Sequence, residues 1–276
     1  MSYATLMIHL QLGQSNSDLL QLAAGLARRF DAGLIGVTAC RPMQVVYGDG
    51  YYVSAELIDE DRAEKERQGK AAEAEFRSAF HAHHGYLEWQ SAVTLEALAG
   101  CLARMASCAD LVITGVTSGA LINASPDVSI GDLIMQIGRP VLSVPAKIAE
   151  LNLDHVILAW KDTRESRRAA SDALPLLKHA ARVSVFEITP ADALDESLAR
   201  LESVVGWLGR HGIAATSFVE TSEGDDGAQM LRIADQQDAS MVVAGGYGHN
   251  RVREWALGGV TRDLLLKSPR CSLLSH

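Results

Sequence analysis

The sequence has few cysteines and no long hydrophobic run, and each absence excludes a class of protein. Only four cysteines occur among 276 residues, none in a Cys-x-x-Cys pair, so a disulfide framework is not expected. No uninterrupted apolar run approaches a membrane span, and the N-terminus lacks the basic segment and cleavage site of a signal peptide. We therefore expect a cytoplasmic protein with no membrane partner, whose cysteines are small core residues.

Basic residues are in the minority. The chain has 25 Lys and Arg against 34 Asp and Glu, which gives a formal charge of −9 at pH 7. Nucleic acids and anionic membrane surfaces require a basic face on the protein that binds them. The charge therefore argues against nucleic-acid partners and leaves small molecules or other proteins.

Motifs of catalysis are missing as well. The sequence has no Gly-x-Ser-x-Gly elbow, no His-Glu-x-x-His run and no nucleophile with an identifiable base. His81, His83 and His84 are candidates for Zn²⁺, but no cysteine or carboxylate lies nearby at ligand spacing, and imidazoles beside Gly85 suit a helix C-terminus. The sequence thus predicts no catalytic residue and no metal site.

The pattern of apolar residues is typical of an α/β fold and occurs twice. Hydrophobic residues make up 48% of the chain, enough for a sizeable core. Short apolar runs alternate with amphipathic stretches, which indicates parallel strands crossed over by helices. After residues 145–150 the pattern starts again, and Ala109–Gly115 parallels Ala239–Gly245 as 139–145 parallels 269–275. The sequence therefore predicts two tandem five-stranded parallel-sheet units with helices on both faces.

The periodicity also predicts bounds for each element. Predicted strands are Ala4–Leu12, Gly33–Cys40, Leu87–Val93, Asp110–Gly115, Pro140–Val144, Asp154–Trp160, Arg182–Ile188, Ala215–Thr221, Ser240–Ala244 and Cys271–Leu274. Predicted helices are Ser17–Phe30, Ser54–His84, Leu95–Ser107, Ile130–Ile137, Arg164–Ala181, Ala191–His211, Asp225–Gln237 and Val252–Lys267.

A glycine-rich run, Gly245 to Thr261, lies between a predicted strand and a predicted helix of the second half. A strand that breaks into such a loop and then a helix leaves backbone N–H groups unpaired at the positive end of the helix dipole, a geometry that binds phosphate. Glycine-rich loops after strands are also often simple turns, and the run has neither the P-loop nor the dinucleotide fingerprint. The loop alone leaves both interpretations open.

With the repeat and this loop, the chain resembles a tandem universal stress protein, two copies of the domain in one polypeptide. The family's loop pattern Gly-x2-Gly-x9-Gly-Ser/Thr matches Gly245, Gly248 and Gly258, with Gly259 in place of Ser or Thr. Residues 157–166 look like the first strand and turn of the family. The resemblance implies a Rossmann-like, adenine nucleotide alpha-hydrolase-like fold with domains at 1–148 and 149–276. It also implies that the last strands of the two halves pair antiparallel, which gives a pseudo-dimer within one chain.

The resemblance further implies a site for ATP or a related adenine nucleotide in the second half. Its phosphates would meet backbone N–H groups of the loop, with a cation as counter-charge and the end of the first strand near the base or ribose. The residues in these roles are Gly245, Gly248, His249, Gly258, Gly259 and Val260 for the phosphates, Arg251 or Lys161 for the charge, Ala159 and Trp160 for the base or ribose, and Thr261 as the nearest hydroxyl.

Two departures from the family bear on this site. Lys161 stands where nucleotide-binding members carry an Asp, and a lysine can meet a phosphate but cannot hold Mg²⁺. The alternative is that Lys161 and Asp162 form a solvated turn before a helix capped by Thr163. In the first half the segment from Gly119 to Gly131 loses the glycine spacing, and Asp132 occupies the anion position, so that half is predicted to have no nucleotide site.

Two functions follow as expectations. The first is a cytoplasmic universal stress protein whose second domain binds ATP as a regulatory ligand, with at most weak ATP hydrolysis. The second is a nucleotide-free adaptor, with no cofactor, that acts through an unknown protein partner. A homodimer of two chains is a further expectation, and the connection with Tyr47, Tyr51 and Tyr52 is predicted to cover a site or to be a plain loop.

Overall fold

The computed structural model describes residues 2–43, 54–116, 128–247 and 259–276. The strands are β1 (Thr5–His9), β2 (Gly33–Cys40), β3 (Leu87–Val93), β4 (Leu111–Gly115), β5 (Val141–Val144), β6 (His155–Ala159), β7 (Arg182–Thr189), β8 (Ala215–Thr221), β9 (Met241–Gly245) and β10 (Cys271–Ser275). The helices are α1 (Ser17–Phe30), α2 (Ala55–Ala79), α3 (Leu98–Met105), α4 (Ile130–Ile137), α5 (Arg164–Leu177), α6 (Leu194–Arg210), α7 (Asp226–Gln236) and α8 (Gly259–Lys267), with short 3-10 helices at Ala106–Cys108 and Ala191–Ala193.

Within the described ranges, the strands form one sheet in the order β3-β2-β1-β4-β5-β10-β9-β6-β7-β8. Neighbours within each half pair parallel, as expected for strands joined by crossover helices. The central strands, such as β6 and β9, are almost continuously apolar because helices cover both faces of the sheet. The predicted α/β fold of two five-stranded units is confirmed.

The two halves join through β5 and β10, the single antiparallel pair of the sheet among the described strands. Leu142 lies opposite Leu273, and Ser143 lies opposite Ser272. The Ser143 hydroxyl also donates to the Ser272 carbonyl oxygen at 3.2 Å. This register confirms the predicted antiparallel pairing of the two edges. Without it, the last strand of each repeat would expose unpaired backbone groups.

The hydrophobic core has a layer on each face of the sheet, and each layer runs through both halves. One layer includes buried side chains of α1, α5 and α6, and the other includes those of α3, α4, α7 and α8. Polar contacts cross the same boundary, since the Tyr3 hydroxyl donates to the Asp172 carbonyl oxygen at 2.6 Å and Arg168 to that of Gly138 at 3.1 Å. The repeats thus pack as a pseudo-dimer. The domain boundary at residue 148 falls in the connection between β5 and β6 and stays a prediction.

Some predicted bounds are wrong. The helix α2 ends at Ala79 rather than His84, with Phe80 as its C-cap and the Phe80 ring buried against Phe76. The helix α3 begins at Leu98 rather than Leu95, whose side chain is exposed. The predicted helix from Val252 is described from Gly259 onward, and its earlier residues lie outside the described part of the chain.

The cysteines are all free thiols, but they do not share one environment. Cys101 and Cys271 are buried, Cys40 is half-buried and Cys108 is exposed. The interpretation of all four as core residues is therefore wrong for Cys108. None of the described helices combines the length and the hydropathy that a membrane span requires.

Candidate functional site

The candidate site of the second half lies at the carboxyl ends of β6 and β9. Ala159 ends β6, and its register partner in β9 is Ala244, so the segments that leave these strands begin side by side. Because β6 lies between β7 and β9, the chain order reverses at this point, which opens the crevice where parallel α/β sheets bind ligands. The predicted residues Gly248, His249, Arg251 and Gly258 lie outside the described residues.

Gly245 brings the first turn of α5 into direct contact with the end of β9. A β-carbon at this position would lie 2.6 Å from the backbone nitrogen of Ser166 and 2.7 Å from the carbonyl carbon of Glu165. Real β-carbons do not approach backbone atoms so closely, so only glycine fits. The turn between β6 and α5 and the base of the glycine-rich run are thereby held together.

The two ends of the run are also close in space. The backbone N–H of Tyr247, just after β9, donates to the Thr261 hydroxyl in the first turn of α8 at 3.5 Å. The Thr261 side chain is buried, while Val260 is half-buried. The described residues on either side of the glycine-rich run, Tyr247 after β9 and Thr261 in α8, therefore lie in contact.

The turn after β6 has the capped geometry expected from its sequence. The Thr163 hydroxyl accepts the Ser166 N–H at 3.3 Å as the N-cap of α5, which confirms the predicted cap. The Lys161 backbone N–H donates to the Ser166 hydroxyl at 3.3 Å, whereas the Lys161 side chain is exposed. Asp162 forms an ion pair with Arg167 at 2.6 Å. The turn is therefore solvent-exposed at Lys161 and Asp162 and capped by Thr163, and whether Lys161 also meets a phosphate stays a prediction.

A carboxylate missed by sequence reasoning lies under this turn. Glu165 is 4% exposed in the first turn of α5 and pairs with Arg164. Burial alone would raise its pKa, but hydrogen bonds from Arg164, its own N–H and Thr163 lower the pKa of this carboxyl overall. The charged side chain stabilises the N-terminus of α5, and an acidic residue in the first helical turn is the signal that could have identified it.

Trp160 faces the opposite side of the sheet from α8. Its indole packs against the layer that contains α5 and α6, and its backbone N–H donates to the Phe186 carbonyl oxygen at 2.7 Å. The indole nitrogen is buried and has no hydrogen-bond partner among the described residues. The structure therefore brings Ala159, Lys161, Gly245, Val260 and Thr261 to one region, while the Trp160 side chain is directed into the core.

The first half has a cavity of about 310 Å³ at the corresponding place, which sequence reasoning did not find. It lies at the carboxyl ends of β1, β2 and β4, and α2 forms one wall. Its polar lining residues are His9, Gln11, Arg41, Asp61, Lys65, Gln68 and Thr114. The spacing of Asp61, Lys65 and Gln68 at i, i+4 and i+7 is the signal that could have indicated a polar helix face directed at a site.

The N-terminus of α4 in the first half has its own acidic side chain. Ser129 is the N-cap, and its hydroxyl accepts the Asp132 N–H at 3.3 Å. Asp132 lies in the first turn, as the sequence predicts, where its negative charge is favourable for the helix dipole. A phosphate at this helix N-terminus would meet that carboxylate.

No protein-family model matches the sequence, and no curated protein matches it. Solved structures do match over the whole length. A universal stress protein from Archaeoglobus fulgidus aligns with a TM-score of 0.75 at 13% identity, over 99% of this chain and 98% of that chain. A putative universal stress protein from Pseudomonas aeruginosa aligns with a TM-score of 0.65 at 15% identity, over 99% and 93%. A functionally unknown protein from the same species aligns at 0.63 and 15%, over 99% and 92%. The fold of the chain is that of tandem universal stress proteins.

Proposed function

We propose that this chain is a tandem universal stress protein that binds ATP or a related adenine nucleotide in its second half, and that occupancy of this site is its signal. The phosphates meet the N-terminus of α8 and the N–H groups of the run between residues 245 and 259. The base and ribose lie toward the end of β6, at Ala159.

The observation that carries the proposal is the closed base of the glycine-rich run. The contact of Tyr247 with Thr261 holds the start of α8 against the end of β9. Gly245 at the same place lets the first turn of α5 come within contact distance. The base of the run and α8 therefore meet where the chain order of the sheet reverses, and backbone N–H groups of a glycine-rich run between a strand and a helix at such a place would favour an anionic ligand.

The described charges at this place offer a cation to a phosphate. Lys161 is exposed and can meet a phosphate as a point charge, but the neighbouring Asp162 is engaged with Arg167. Among the described residues, no group of three or more His, Cys, Asp or Glu side chains is arranged to hold a metal ion. The proposal keeps the expectation from the sequence, a regulatory ligand with at most weak hydrolysis.

A second candidate, a nucleotide-free adaptor, is favoured by one observation. The backbone and Cβ of Glu165 lie against Gly245, and the same residue carries a buried carboxylate paired with Arg164. A carboxylate near a phosphate repels it, and burial weakens the solvent screening of that repulsion. The adaptor would keep the fold and act through contacts with another protein.

Analysis of the ligand that copurifies with the chain separates the two candidates. The full-length protein is purified without added nucleotide and denatured, and the released small molecules are identified by mass spectrometry. We expect an adenine nucleotide at close to one equivalent per chain. An empty protein that also gives no heat with ATP in calorimetry would favour the adaptor.

A matched pair of variants then locates the site. Gly248→Asp adds a carboxylate to the run of the second half and should leave no copurifying nucleotide. Gly119→Asp adds the same charge after β4 in the first half and should retain it. Gly131 is a poorer control, because it is buried in α4. Equal loss of nucleotide in both variants would contradict a site confined to the second half.

The proposal includes two further expectations from the sequence, a cytoplasmic location and association of two chains. Both are independent of the ligand. A sedimentation mass near the 29.6 kDa of one chain would contradict the homodimer.

A further inference from the structure

The cavity of the first half differs in chemistry from the corresponding place in the second half. The strand registers align the pair His9 and Thr114 of β1 and β4 with the pair Ala159 and Ala244 of β6 and β9. The first half therefore has an imidazole and a hydroxyl where the second half has two methyl groups. In each half, these residues lie in the crevice where the strand order of that half reverses. The difference therefore bears directly on what each half can bind.

The inner end of the cavity offers uncharged hydrogen-bonding groups. His9 is 5% exposed, and its Nδ1 lies 3.0 Å from the Thr114 hydroxyl. Burial lowers the pKa of His9 to about 4, so the ring is neutral at physiological pH. Beside it, the Gln11 amide donates to the Gly115 carbonyl oxygen at 3.1 Å, which leaves the amide oxygen as an acceptor. The remaining lining is apolar and includes Leu10, Leu12, Leu98, Val128 and Ile130.

Two of the three charged residues of the lining neutralise each other. The Lys65 ammonium lies 2.8 and 2.7 Å from the two carboxylate oxygens of Asp61. Asp61 also accepts the Met43 N–H at 2.8 Å, so its oxygens are already engaged. The pair adds polarity to the α2 wall but no net charge.

Arg41 supplies the remaining charge. Its Nε donates to the Glu96 backbone carbonyl oxygen at 3.0 Å, while the Glu96 carboxylate pairs with Arg104 at 2.7 Å. Within the described ranges, no carboxylate forms an ion pair with Arg41. The charged lining thus has a net charge of one positive unit, from Arg41.

We propose that this cavity binds a small organic molecule that carries one negative charge on an otherwise uncharged, partly apolar body, and that it excludes polyphosphates. The single charge pairs with Arg41, and the body fills the space between the apolar wall and His9, Gln11 and Thr114. The volume of about 310 Å³ is at the low end for ligand pockets and suits such a molecule. A polyphosphate carries several negative charges, whereas the charged lining residues Arg41, Asp61 and Lys65 together offer one positive charge.

The anionic dye 8-anilinonaphthalene-1-sulfonate is a suitable probe, because it has one sulfonate on an apolar body. Titrated into the full-length protein and followed by fluorescence, it should occupy one site per chain in the first half. Arg41→Gln should weaken its binding about tenfold, the effect expected for loss of one charged contact. N-phenyl-1-naphthylamine, the same body without the sulfonate, should bind more weakly and should not respond to Arg41→Gln.

Two further variants complete the test. Arg104→Gln removes a cation paired with Glu96 but outside the cavity lining, and should leave dye binding unchanged. Gly115→Leu directs a side chain into the cavity and should abolish the site. If that variant does not fold, the comparison of Arg41→Gln with Arg104→Gln still decides. Equal dye affinity in these two arginine variants, or displacement of the dye by ATP at its own binding concentration, would overturn the proposal.

Discussion

Replacement of Gly245 by alanine tests the close packing on which the candidate site depends. The added carbon would lie 2.6 Å from the Ser166 backbone nitrogen and 2.7 Å from the Glu165 carbonyl carbon. Atoms in good contact stay about 3.5 Å apart, so the overlap is roughly 0.9 Å. Because both atoms belong to the backbone, no side-chain rotation relieves it, and the first turn of α5 must move away from β9.

Two opposing effects set the size of the change. Alanine in place of glycine stabilises by about 0.4–1 kcal/mol, because it restricts the unfolded chain. Overlap in a packed interior costs about 1–3 kcal/mol, and contact with backbone atoms favours the upper part of that range. We expect the overlap to dominate, with a net loss of about 1–2 kcal/mol in the free energy of unfolding and a melting temperature lower by about 2–8 °C.

Gly115 provides a matched control, since it ends β4 as Gly245 ends β9. A β-carbon there would be 3.7 Å from the Gln11 amide, an ordinary contact. Gly115→Ala should therefore be neutral or slightly stabilising. Both variants are compared by calorimetric melting of the full-length protein and by ATP titration, in which only Gly245→Ala should lose affinity. Equal melting temperatures would refute the steric reasoning.

Three other predictions follow from the same structure. Leu273→Pro removes a backbone hydrogen bond from β10, which lies between β5 and β9. Amide exchange of residues 141–144 should then become at least tenfold faster, and unchanged protection there would contradict the pairing of the halves. Because the pKa of His9 falls from 6.5 to about 4 on burial, the unfolded chain binds a proton there that the folded chain does not. The free energy of unfolding should thus decrease as the pH drops from about 6.5 to 4, and a His9→Gln variant with the same slope would argue against this assignment. Lys161→Gln should weaken ATP binding a few-fold at low salt and less at high salt, and a loss independent of salt would exclude a point-charge role.

The fold could be predicted because its signals are local and repeated. Apolar runs of strand length recur in the same order in both halves, and the last run of each half leaves an edge that needs a partner. The resemblance implied that these two edges pair with each other, and the structure adds the register, with Leu142 opposite Leu273. The bounds that failed, such as the end of α2 at Ala79, depend on tertiary packing, since Phe80 turns into a core that periodicity cannot locate.

The candidate site could be predicted in part. Thr163 as a helix cap and the place of Gly245 follow from residue type and spacing. The cavity of the first half could not be found this way, because its lining comes from β1, β2, α2, α3, β4 and α4, and each residue is ordinary in its own segment. Only strand register brings His9 to Thr114 across 105 positions of the chain.

The most direct test of the central claim is the stoichiometry of ATP binding by calorimetry, measured on the full-length chain and on two aspartate variants. We expect one ATP per chain for the unaltered protein. We expect none for Gly258→Asp, in which a carboxylate enters the run that precedes α8, and one for Gly119→Asp. Two ATP molecules per chain, or a single ATP that persists in Gly258→Asp and disappears in Gly119→Asp, would contradict the assignment of the nucleotide site to the second half.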